Sequence, residues 1–322
     1  MLLTDQHPHN KSIVCSVLGV PNVGKSSLIN YFLGTDLSIV TPKPQTTRNR
    51  IHCVLTIDRT EIVFIDTPGI HNSNKEFNKR LNQQAKEGID GSDINLLLID
   101  LTKKISDQFI AFSKTVEEKE LVKTWVVFTK SDLIPNPEEL PLSMVMDKAK
   151  EVIPSLDKFF VISTKNGNNI HLLTGEICDA ATPGPHHYPR GEISNKNQRF
   201  FATEYVREQV FLHLRDEIPY EAAVVIEEYT ESKSDTLGMV SHISASILVN
   251  KASQRGIVVG SKGSMIRDIG TKARAKIEAM TGGKVNLNLH VKVAPNWFKN
   301  NMILEEVGLH RAVDSSRVWR KR

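Results

Sequence analysis

The first half of the chain contains short continuous runs of apolar residues that have the length of β-strands. These runs occupy residues 13–18, 61–65, 95–101, 124–128 and 159–163. Strands that are apolar on both faces are typical of a largely parallel sheet covered by helices on either side. Residues 27–32 and 170–181 are compatible with such helices, and residues 50–57 form a further strand that a short turn connects to the next one. The pattern therefore predicts an α/β domain.

The second half has a different pattern, in which helical periodicity and alternating strands are mixed. Helical patterns cover residues 200–215 and 268–280, and strand patterns cover residues 222–228, 241–249 and 285–293. Between the two halves, residues 181–197 carry three prolines and two glycines, a composition typical of a linker. We assign His186 and His187 to this linker, because no metal-ligand spacing surrounds them. A chain of 322 residues also favours two domains over one.

Composition excludes several classes of protein. Hydrophobic residues make up 40% and charged residues 24%, which is ordinary for a globular protein. No apolar run approaches the roughly 18 residues of a membrane-spanning helix, and residues 1–10 lack the pattern of a secretory signal. Cys15, Cys53 and Cys178 are odd in number and widely spaced, which argues against disulfides and zinc. We expect a cytoplasmic protein, with the first two cysteines in its core.

The net charge of +4 conceals an asymmetry along the chain. Residues 251–322 contain 15 Lys and Arg against 5 Asp and Glu, and the remainder contains 26 against 32. A basic end on an acidic body indicates contact with a polyanion. The alternative at this point is a solvated basic face.

The first chemical motif lies where the first strand turns into a helix. Residues 19–26 read G-V-P-N-V-G-K-S, the pattern of a phosphate-binding loop. Its glycines let backbone N–H groups approach phosphate oxygens, and the following helix presents its N-terminus to the anion. Lys25 would then reach the β and γ phosphates, and Ser26 would bind Mg²⁺. The alternative is a glycine-rich turn that matches by chance.

Further motifs follow at the ends of later strands. Asp66-Thr67-Pro68-Gly69 ends one strand, where an Asp can hold Mg²⁺ through water and a Gly can turn its N–H towards the γ phosphate. Thr129-Lys130-Ser131-Asp132 ends another, and its Asp can accept hydrogen bonds from the guanine N1 and N2, a donor pair that adenine lacks. Ser163-Thr164-Lys165 can offer a backbone N–H to the guanine O6. Residues 38–50, with two prolines and many hydroxyl groups, predict an exposed loop.

The basic half carries a glycine-bracketed turn of its own. Gly260-Ser261-Lys262-Gly263 lies between two helix-compatible runs. A G-x-x-G turn with a Lys allows a nucleic-acid backbone to approach the main chain, as in a KH module. Lys272, Arg274 and Lys276 on the next helix are candidates for phosphate contacts.

Taken together, these stretches resemble the Era family of bacterial GTPases, of the TrmE–Era–EngA type, over nearly the whole chain. The resemblance is carried by PNVGKSSLIN, KPQTTRNRI, DTPGIH, TKSD, LRDEIPYEAAVVIEE and IVVGSKGSMIRDIG through VKVAPNW. It implies a P-loop GTPase domain with a mostly parallel six-stranded sheet at 11–180 and a linker at 181–196. A smaller α+β KH domain of type II at 197–310 and a basic tail at 311–322 would follow.

The resemblance also implies site residues. Thr47 would be the effector-loop Mg²⁺ ligand, with Thr46 as the less favoured alternative. The full nucleotide-binding set is then Gly19, Val20, Pro21, Asn22, Val23, Gly24, Lys25, Ser26, Ser27, Asp66, Thr67, Pro68, Gly69, Thr129, Lys130, Ser131, Asp132, Ser163, Thr164 and Lys165. Catalysis would rest on Asn22, Lys25, Thr47, Asp66 and Gly69, the Mg²⁺ ion on Ser26, Thr47 and Asp66, and RNA binding on Gly260, Ser261, Lys262, Gly263, Lys272 and Arg274.

Two departures affect the expected mechanism. Thr129 stands where the family has Asn, which weakens the expected base contact. Ile70 stands where Ras-type enzymes have the Gln that orients the attacking water. In related GTPases with an apolar residue there, a phosphate-loop Asn ligates K⁺, so Asn22 either binds K⁺ or holds the loop backbone.

Two functions follow from the resemblance. The first is a GTP-binding, slowly GTP-hydrolysing switch that binds the 3′ end of small-subunit (16S) ribosomal RNA and acts in assembly of the 30S subunit. The alternative is an RNA-binding protein whose nucleotide domain senses GTP and GDP but barely hydrolyses. A monomer and peripheral association with the inner membrane are also expected.

Overall fold

The chain folds into two compact units in the computed structural model, which describes residues 6–44, 46–69, 76–114, 116, 121–236 and 238–309. The first unit ends at Asn195 and the second begins at Lys196. The basic tail predicted at 311–322 lies outside the described residues, and so does Ile70. The domain limits expected from sequence stay a prediction. None of the helices in the described ranges has the length and hydropathy needed to cross a bilayer.

The first unit is built on one mixed, mostly parallel sheet. Its strands are β1 (Lys11–Leu18), β2 (Ile51–Ile57), β3 (Thr60–Asp66), β4 (Ile94–Asp100), β5 (Thr124–Thr129), β6 (Leu156–Val161) and the two-residue β7 (Thr182–Pro183). The order is β2-β3-β1-β4-β5-β6, with β7 paired to the start of β1. Only β2 and β7 run antiparallel to their neighbours. The predicted six strands are therefore confirmed, with the short β7 added.

Helices connect these strands and cover the sheet. They are α1 (Lys25–Leu33), α2 (Glu76–Ile89), α3 (Ile105–Ser113), α4 (Leu142–Lys150) and α5 (Ile170–Ala180). Every residue of β4 and β5 is buried. This burial on both faces explains why these strands are continuous apolar runs and not alternating ones. Cys15 and Cys53 have no exposed surface and pack in the core, as expected.

The register of the parallel strands collects their carboxyl ends at one edge of the sheet. Val17 of β1 pairs with Asp66 at the end of β3, and Leu18 pairs with Leu97 of β4. At the end of β4, Asp100 pairs with Thr129 at the end of β5. The loops that follow these strands hold all the motifs singled out in the first half of the sequence. The fold therefore places a single site at this edge.

The segment expected to be a linker lies along the β2–β3 hairpin of the first unit. The carboxylate of Glu61 in β3, which is 1% exposed, accepts hydrogen bonds from the backbone N–H groups of His187 at 2.6 Å and Tyr188 at 3.1 Å. The Tyr188 hydroxyl lies 2.6 Å from His52 Nδ1, and Val54 N donates to Ile193 O at 2.9 Å. Residues 186–195 thus form a strap on β2 and β3.

The second unit has the order helix, strand, strand, helix, helix, strand, with a short helix added after the first helix and another at the end. Its elements are α6 (Gln198–His213), α7 (Ile218–Glu221), β8 (Ala223–Ser234), β9 (Gly238–Val249), α8 (Ala252–Val259), α9 (Ser264–Thr281), β10 (Lys284–Val293) and α10 (Asn301–Glu306). The three strands form a sheet in the order β10-β9-β8, with β10 parallel to β9. The predicted KH fold of type II is confirmed.

The core of this unit lies between the helices and one face of the sheet. Val206 and Val210 of α6 meet Ile269 and Ala273 of α9 against Ile247 of β9, and all five are fully buried. Strands β8 and β9 are 12 residues each, longer than the sequence pattern predicted. The added part of β8, residues 229–234, is polar and exposed apart from the half-buried Tyr229 and Ser234, and therefore shows no hydrophobic alternation.

Candidate functional site

The phosphate loop, residues 19–26, has a backbone that requires its two glycines. Gly19 has φ 142°, and a Cβ on it would lie 2.7 Å from the carbonyl oxygen of Leu98. Gly24 has φ 104° and precedes the first residue of α1. Both conformations are poorly accessible to other residues. The loop therefore delivers the N-terminus of α1 to the edge of the sheet, where unpaired N–H groups bind anions.

Lys25 lies buried inside this loop. Its Nζ donates to the carbonyl oxygens of Gly19 and Val20, both at 3.0 Å. Burial lowers the pKa of its ammonium to about 8, against the opposing effect of the Asp66 carboxylate. An amine that titrates near neutral pH and is held by two carbonyls can exchange those partners for phosphate oxygens.

Three side-chain oxygens meet beside Lys25. Ser26 Oγ lies 3.0 Å from Thr47 Oγ1 and donates to Asp66 Oδ2 at 3.0 Å. The second oxygen of Asp66 is buried, and hydroxyl and carboxylate oxygens are the ligands that Mg²⁺ prefers. Thr46 is bound elsewhere, since its hydroxyl lies 2.7 Å from both Thr41 Oγ1 and Lys43 O. The structure thus brings Thr47 to the oxygen cluster, and not Thr46.

The loop that carries Thr47 is buried at residues 38–39, 41 and 46–49, whereas Val40, Pro42 and Pro44 are exposed, so the expectation of an exposed loop is corrected in part. Ser38 is 2% exposed because its N–H and carbonyl are both bonded to the side-chain amide of Asn30. Arg48 is also 2% exposed and lies over the ring of Phe77, 5.2 Å from its centroid. Composition predicted the irregular backbone correctly. It failed on exposure because the partners lie on α1 and α2, outside the loop itself.

The Asp-Thr-Pro-Gly motif is bound to the phosphate loop and to β1. Thr67 Oγ1 donates to Val17 O at 2.6 Å. A Cβ on Gly69 would lie 2.9 Å from the ring of Pro21, so only glycine fits between the two loops. The chain beyond Gly69, including Ile70, lies outside the described residues. Gly69 is therefore positioned beside the phosphate loop, as its predicted role requires.

Residues 129–132 also contact the phosphate loop directly. Thr129 Oγ1 donates to Val23 O at 2.7 Å and lies 3.3 Å from Ile99 O. Lys130 has a left-handed backbone with φ 61°, and its Nζ donates to Asn22 O at 3.0 Å. Thr129 thus binds the phosphate loop with its hydroxyl.

Asp132 is oriented by a residue whose side chain the sequence did not single out. The Ser163 hydroxyl donates to Asp132 Oδ1 at 2.6 Å and accepts from Lys165 N at 3.1 Å. The motif predicted only a backbone role for residues 163–165. A serine two residues after strand β6, in the loop that faces Asp132, is the signal that could have indicated the hydroxyl contact. Of the remaining predicted residues, Pro68, Ser131 and Thr164 lie in the same loops, and Ser27 lies in the first turn of α1.

The G-S-K-G turn of the second unit lies between α8 and α9. Gly260 has φ 72°, and a Cβ on it would lie 2.7 Å from the Cβ of Met265. Lys262 has φ 49°, and both Ser261 and Lys262 are exposed. Gly263 has φ 76° and precedes α9. The turn therefore offers exposed main chain and a lysine at a helix N-terminus.

Helix α9 presents its basic residues in two ways. Lys272 Nζ lies 3.0 Å from His213 Nε2, and Lys276 Nζ lies 2.7 Å from the buried carboxylate of Glu208. Both partners belong to α6. Arg274 is exposed on the helix. Arg274 and Lys272 are therefore accessible to a ligand, whereas Lys276 is engaged in an ion pair.

These features define a class of protein. A phosphate loop, a hydroxyl–carboxylate cluster and a T-K-x-D loop at one edge of a parallel sheet form the site of a P-loop GTPase, and the second unit is a KH domain. Two family models match accordingly, "50S ribosome-binding GTPase" over residues 14–130 and "KH domain" over residues 217–298.

Curated relatives cover the same length. The chain is 36% identical to GTPase Era of Syntrophus aciditrophicus over 298 residues, which cover 92% of this chain and 95% of the relative. It is 37% identical to GTPase Era of Thermosipho melanesiensis over 295 residues, covering 91% and 96%. The chain belongs to the Era family and is a GTP-hydrolysing enzyme.

Two solved structures are similar over both units. One is Era in complex with MgGDPNP and nucleotides 1506–1542 of 16S ribosomal RNA, with TM-score 0.85, 30% identity and coverage of 94% of this chain and 100% of that one. The other is a variant of Aquifex aeolicus Era bound to GDP·AlF4⁻, with the same TM-score, identity and coverage.

We expect the affinity for GDP to fall as the pH rises above 8, because Lys25 then loses its charge in the free protein. Bound phosphate favours the charged amine, so binding in this range takes up a proton. Calorimetry at about pH 7 and about pH 9, in buffers of different ionisation enthalpy, measures that uptake. If the affinity for GDP and the number of protons taken up both stay constant with pH, Lys25 does not bind the phosphates.

The variant Lys25→Ala should abolish tight triphosphate binding.

The contribution of Lys25 to folding stability changes with pH in the opposite direction to its contribution to GDP affinity. The folded pKa of Lys25, about 8, lies below the value of 10.5 for an exposed lysine. Between these values the unfolded chain binds more protons, so the contribution of Lys25 to the stability of the nucleotide-free protein rises with pH through that window.

Proposed function

We propose that this protein is a GTP-binding, slowly hydrolysing switch that binds the 3′ end of 16S ribosomal RNA and acts in assembly of the 30S subunit. The observation that carries the nucleotide part is the meeting of Ser26, Thr47 and Asp66, with Ser26 Oγ 3.0 Å from an oxygen of each of the other two. The RNA part is supported by the similar Era structure that contains nucleotides 1506–1542 of 16S RNA.

The metal in this proposal is Mg²⁺. Ser26 and Thr47 would supply hydroxyl ligands and Asp66 would hold the ion through water, while Lys25 binds the β and γ phosphates. An Mg²⁺ ion accompanies the nucleotide analogue in the similar Era structure. Loss of the γ phosphate removes a reason for Thr47 to stay at the cluster, which is how the switch would work.

Guanine would be read by Asp132, which the Ser163 hydroxyl orients at 2.6 Å. The Lys130 stem would lie along the base. Thr129 binds Val23 O through its hydroxyl at 2.7 Å, so the residue that replaces the family's Asn still connects the base loop to the phosphate loop.

Slow hydrolysis follows from Ile70, which offers no hydrogen bond to the attacking water. Asn22 is the candidate K⁺ ligand that would supply the missing positive charge. Its amide Nδ2 donates to Pro42 O at 2.8 Å, which directs that nitrogen to the loop before Thr47. The same contact supports the alternative in which Asn22 only fixes the two loops.

The alternative function, an RNA-binding protein that senses GTP and barely hydrolyses it, is favoured by Ile70 alone. Measuring GTP turnover with and without RNA of the 16S 3′ end separates the two. Stimulated turnover supports the switch. Location in the cytoplasm, peripheral association with the inner membrane and a monomeric state stay predictions.

Asp132→Asn should shift the preference from GTP towards XTP, because an amide can donate to the oxygen that xanthine carries at C2. Competition of GTP and XTP against a fluorescent GDP analogue measures the shift. Asp107→Asn, an exposed carboxylate on α3, is the matched control and should leave the preference unchanged. If the Asp132 variant keeps its affinity for GTP, the guanine assignment is wrong.

Replacing Ser261 and Lys262 with Asp should abolish RNA binding, since two carboxylates in the exposed turn repel phosphate. The measurement is titration of a fluorescent 16S 3′-end RNA at several salt concentrations. Each lost phosphate contact reduces the magnitude of the slope of log affinity against log salt by about 0.7. Lys233→Asp with Ser234→Asp, a Lys-Ser pair at the end of β8, is the control. Retained binding in the turn variant would end the KH assignment.

GTP turnover should be faster in K⁺ than in Na⁺ at equal ionic strength, with the difference lost in Asn22→Ala while GTP binding persists. A phosphate-release assay in the two salts measures the effect. Equal rates in wild-type protein would leave RNA or a protein partner as the source of the missing group.

A further inference from the structure

The buried carboxylate of Asp100 belongs to none of the motifs read from the sequence, yet it binds the lysine of the T-K-x-D motif. Asp100 ends β4 and has no exposed surface. Its Oδ2 accepts a hydrogen bond from Lys130 Nζ at 2.6 Å, and Lys103 Nζ lies 3.8 Å away. Its Oδ1 accepts from both the backbone and the hydroxyl of Thr102, at 2.9 and 2.6 Å. The carboxylate is thus satisfied on both oxygens.

Asp100 is held rigidly at its backbone as well. The side-chain amide of Gln108, which is 5% exposed, accepts from Asp100 N and donates to Asp100 O, both at 2.9 Å. Burial alone would raise the pKa of the Asp100 carboxyl, but the hydrogen bonds from Lys130 and Thr102 outweigh it and lower the pKa. The group is therefore a fixed negative charge at neutral pH.

Lys130 is fixed by two acceptors, one at the end of strand β4 and one in the phosphate loop. Its Nζ contacts Asp100 and also donates to Asn22 O of the phosphate loop at 3.0 Å. The side chain of Lys130 is 33% exposed, whereas that of Asp100 is 0% exposed. The ammonium is therefore anchored towards the interior while part of the side chain remains accessible to a ligand.

An ion pair with a buried carboxylate is by itself weak support for stability, because desolvation offsets the attraction. This pair, however, joins the lysine of the T-K-x-D motif to the end of β4. The hydroxyl of the adjacent Thr129 makes a parallel connection, since it donates to Val23 O at 2.7 Å and lies 3.3 Å from Ile99 O. Two consecutive residues thus each join the phosphate loop to the last two residues of β4. That arrangement fixes the loop that would receive the base.

We propose that Asp100 is a positioning residue for nucleotide recognition, and that its carboxylate holds the Lys130 stem in the base-binding orientation before the nucleotide arrives. The inference rests on the proposed assignment of residues 129–132 to guanine. It explains how Lys130 keeps its place although Thr129 replaces the longer Asn side chain. The carboxylate acts through Lys130 and does not touch the nucleotide.

The test is the dissociation rate of a fluorescent GDP analogue from the full chain. Asp100→Asn should raise this rate about tenfold, since an amide leaves the ammonium of Lys130 without a charged partner. In a Lys130→Met background the same change should have no further effect, because the residue through which Asp100 acts is gone. A merely structural role would give the same increase in both backgrounds, which would overturn the proposal.

Two further variants test whether the effect is specific to the charge of Asp100 and to its contact with Lys130. Thr102→Val removes a donor from Asp100 at an exposed position and keeps the charge, so it should give a smaller increase. Asp157→Asn breaks a second Asp–Lys pair of the same unit, with Lys123 at 3.1 Å, and should leave the rate unchanged. An unchanged rate in Asp100→Asn, together with a shift towards XTP in Asp132→Asn, would refute this inference and leave the guanine assignment intact. An unchanged nucleotide preference in Asp132→Asn would refute the guanine assignment itself.

Discussion

The carbonyl oxygens of the phosphate loop are the groups on which the nucleotide site depends. A loop that turns its N–H groups towards a ligand must direct carbonyls elsewhere, and buried carbonyls need donors. Lys25 serves Gly19 and Val20, Lys130 serves Asn22, and Thr129 serves Val23. Three side chains thus hold the loop in shape before phosphate binds. Two of the three belong to the T-K-x-D motif, so the proposed phosphate and base subsites form one hydrogen-bonded unit. A distortion of either subsite would therefore change the other.

Three of the seven non-glycine residues with positive φ in the described part of the chain lie in the site loops of the two units. They are Asn22, Lys130 and Lys262, with φ values of 62°, 61° and 49°. Such conformations persist only where the surroundings hold them. For Asn22 and Lys130 the holding contacts are the side-chain bonds to Pro42 O and Asp100. Lys262 lies in an exposed turn between Gly260 and Gly263, and these glycines supply the conformational freedom of the turn.

The parts of the site that could be predicted from the sequence are the local ones. The loop from Gly19 to Ser26 needs glycines at fixed spacing, and its chemistry follows from nearest neighbours. The contacts that could not be predicted join residues distant in sequence, such as Ser163 to Asp132 or Lys130 to Asp100. Residues 38–50 illustrate the same limit, because their burial comes from Asn30 and Phe77 and not from their own composition. The strands of the first sheet could be predicted, because burial on both faces leaves continuous apolar runs in the sequence.

The strap of residues 186–195 restricts which segments within the first unit can change conformation. Strand β2 is the edge of the sheet and would leave backbone groups without partners on its outer side. The strap provides partners for three of them: His52 N donates to Asn195 Oδ1, His52 O accepts from Ser194 Oγ, and Val54 N donates to Ile193 O. Because β2 is bonded on both sides, the displacement of Thr47 that the proposed switch requires would be absorbed in the irregular residues that precede Ile51. In that case the hydrogen bonds of Ser38 with Asn30 and of Thr41 with Thr46 would break and reform, while the strand that follows them would stay in place.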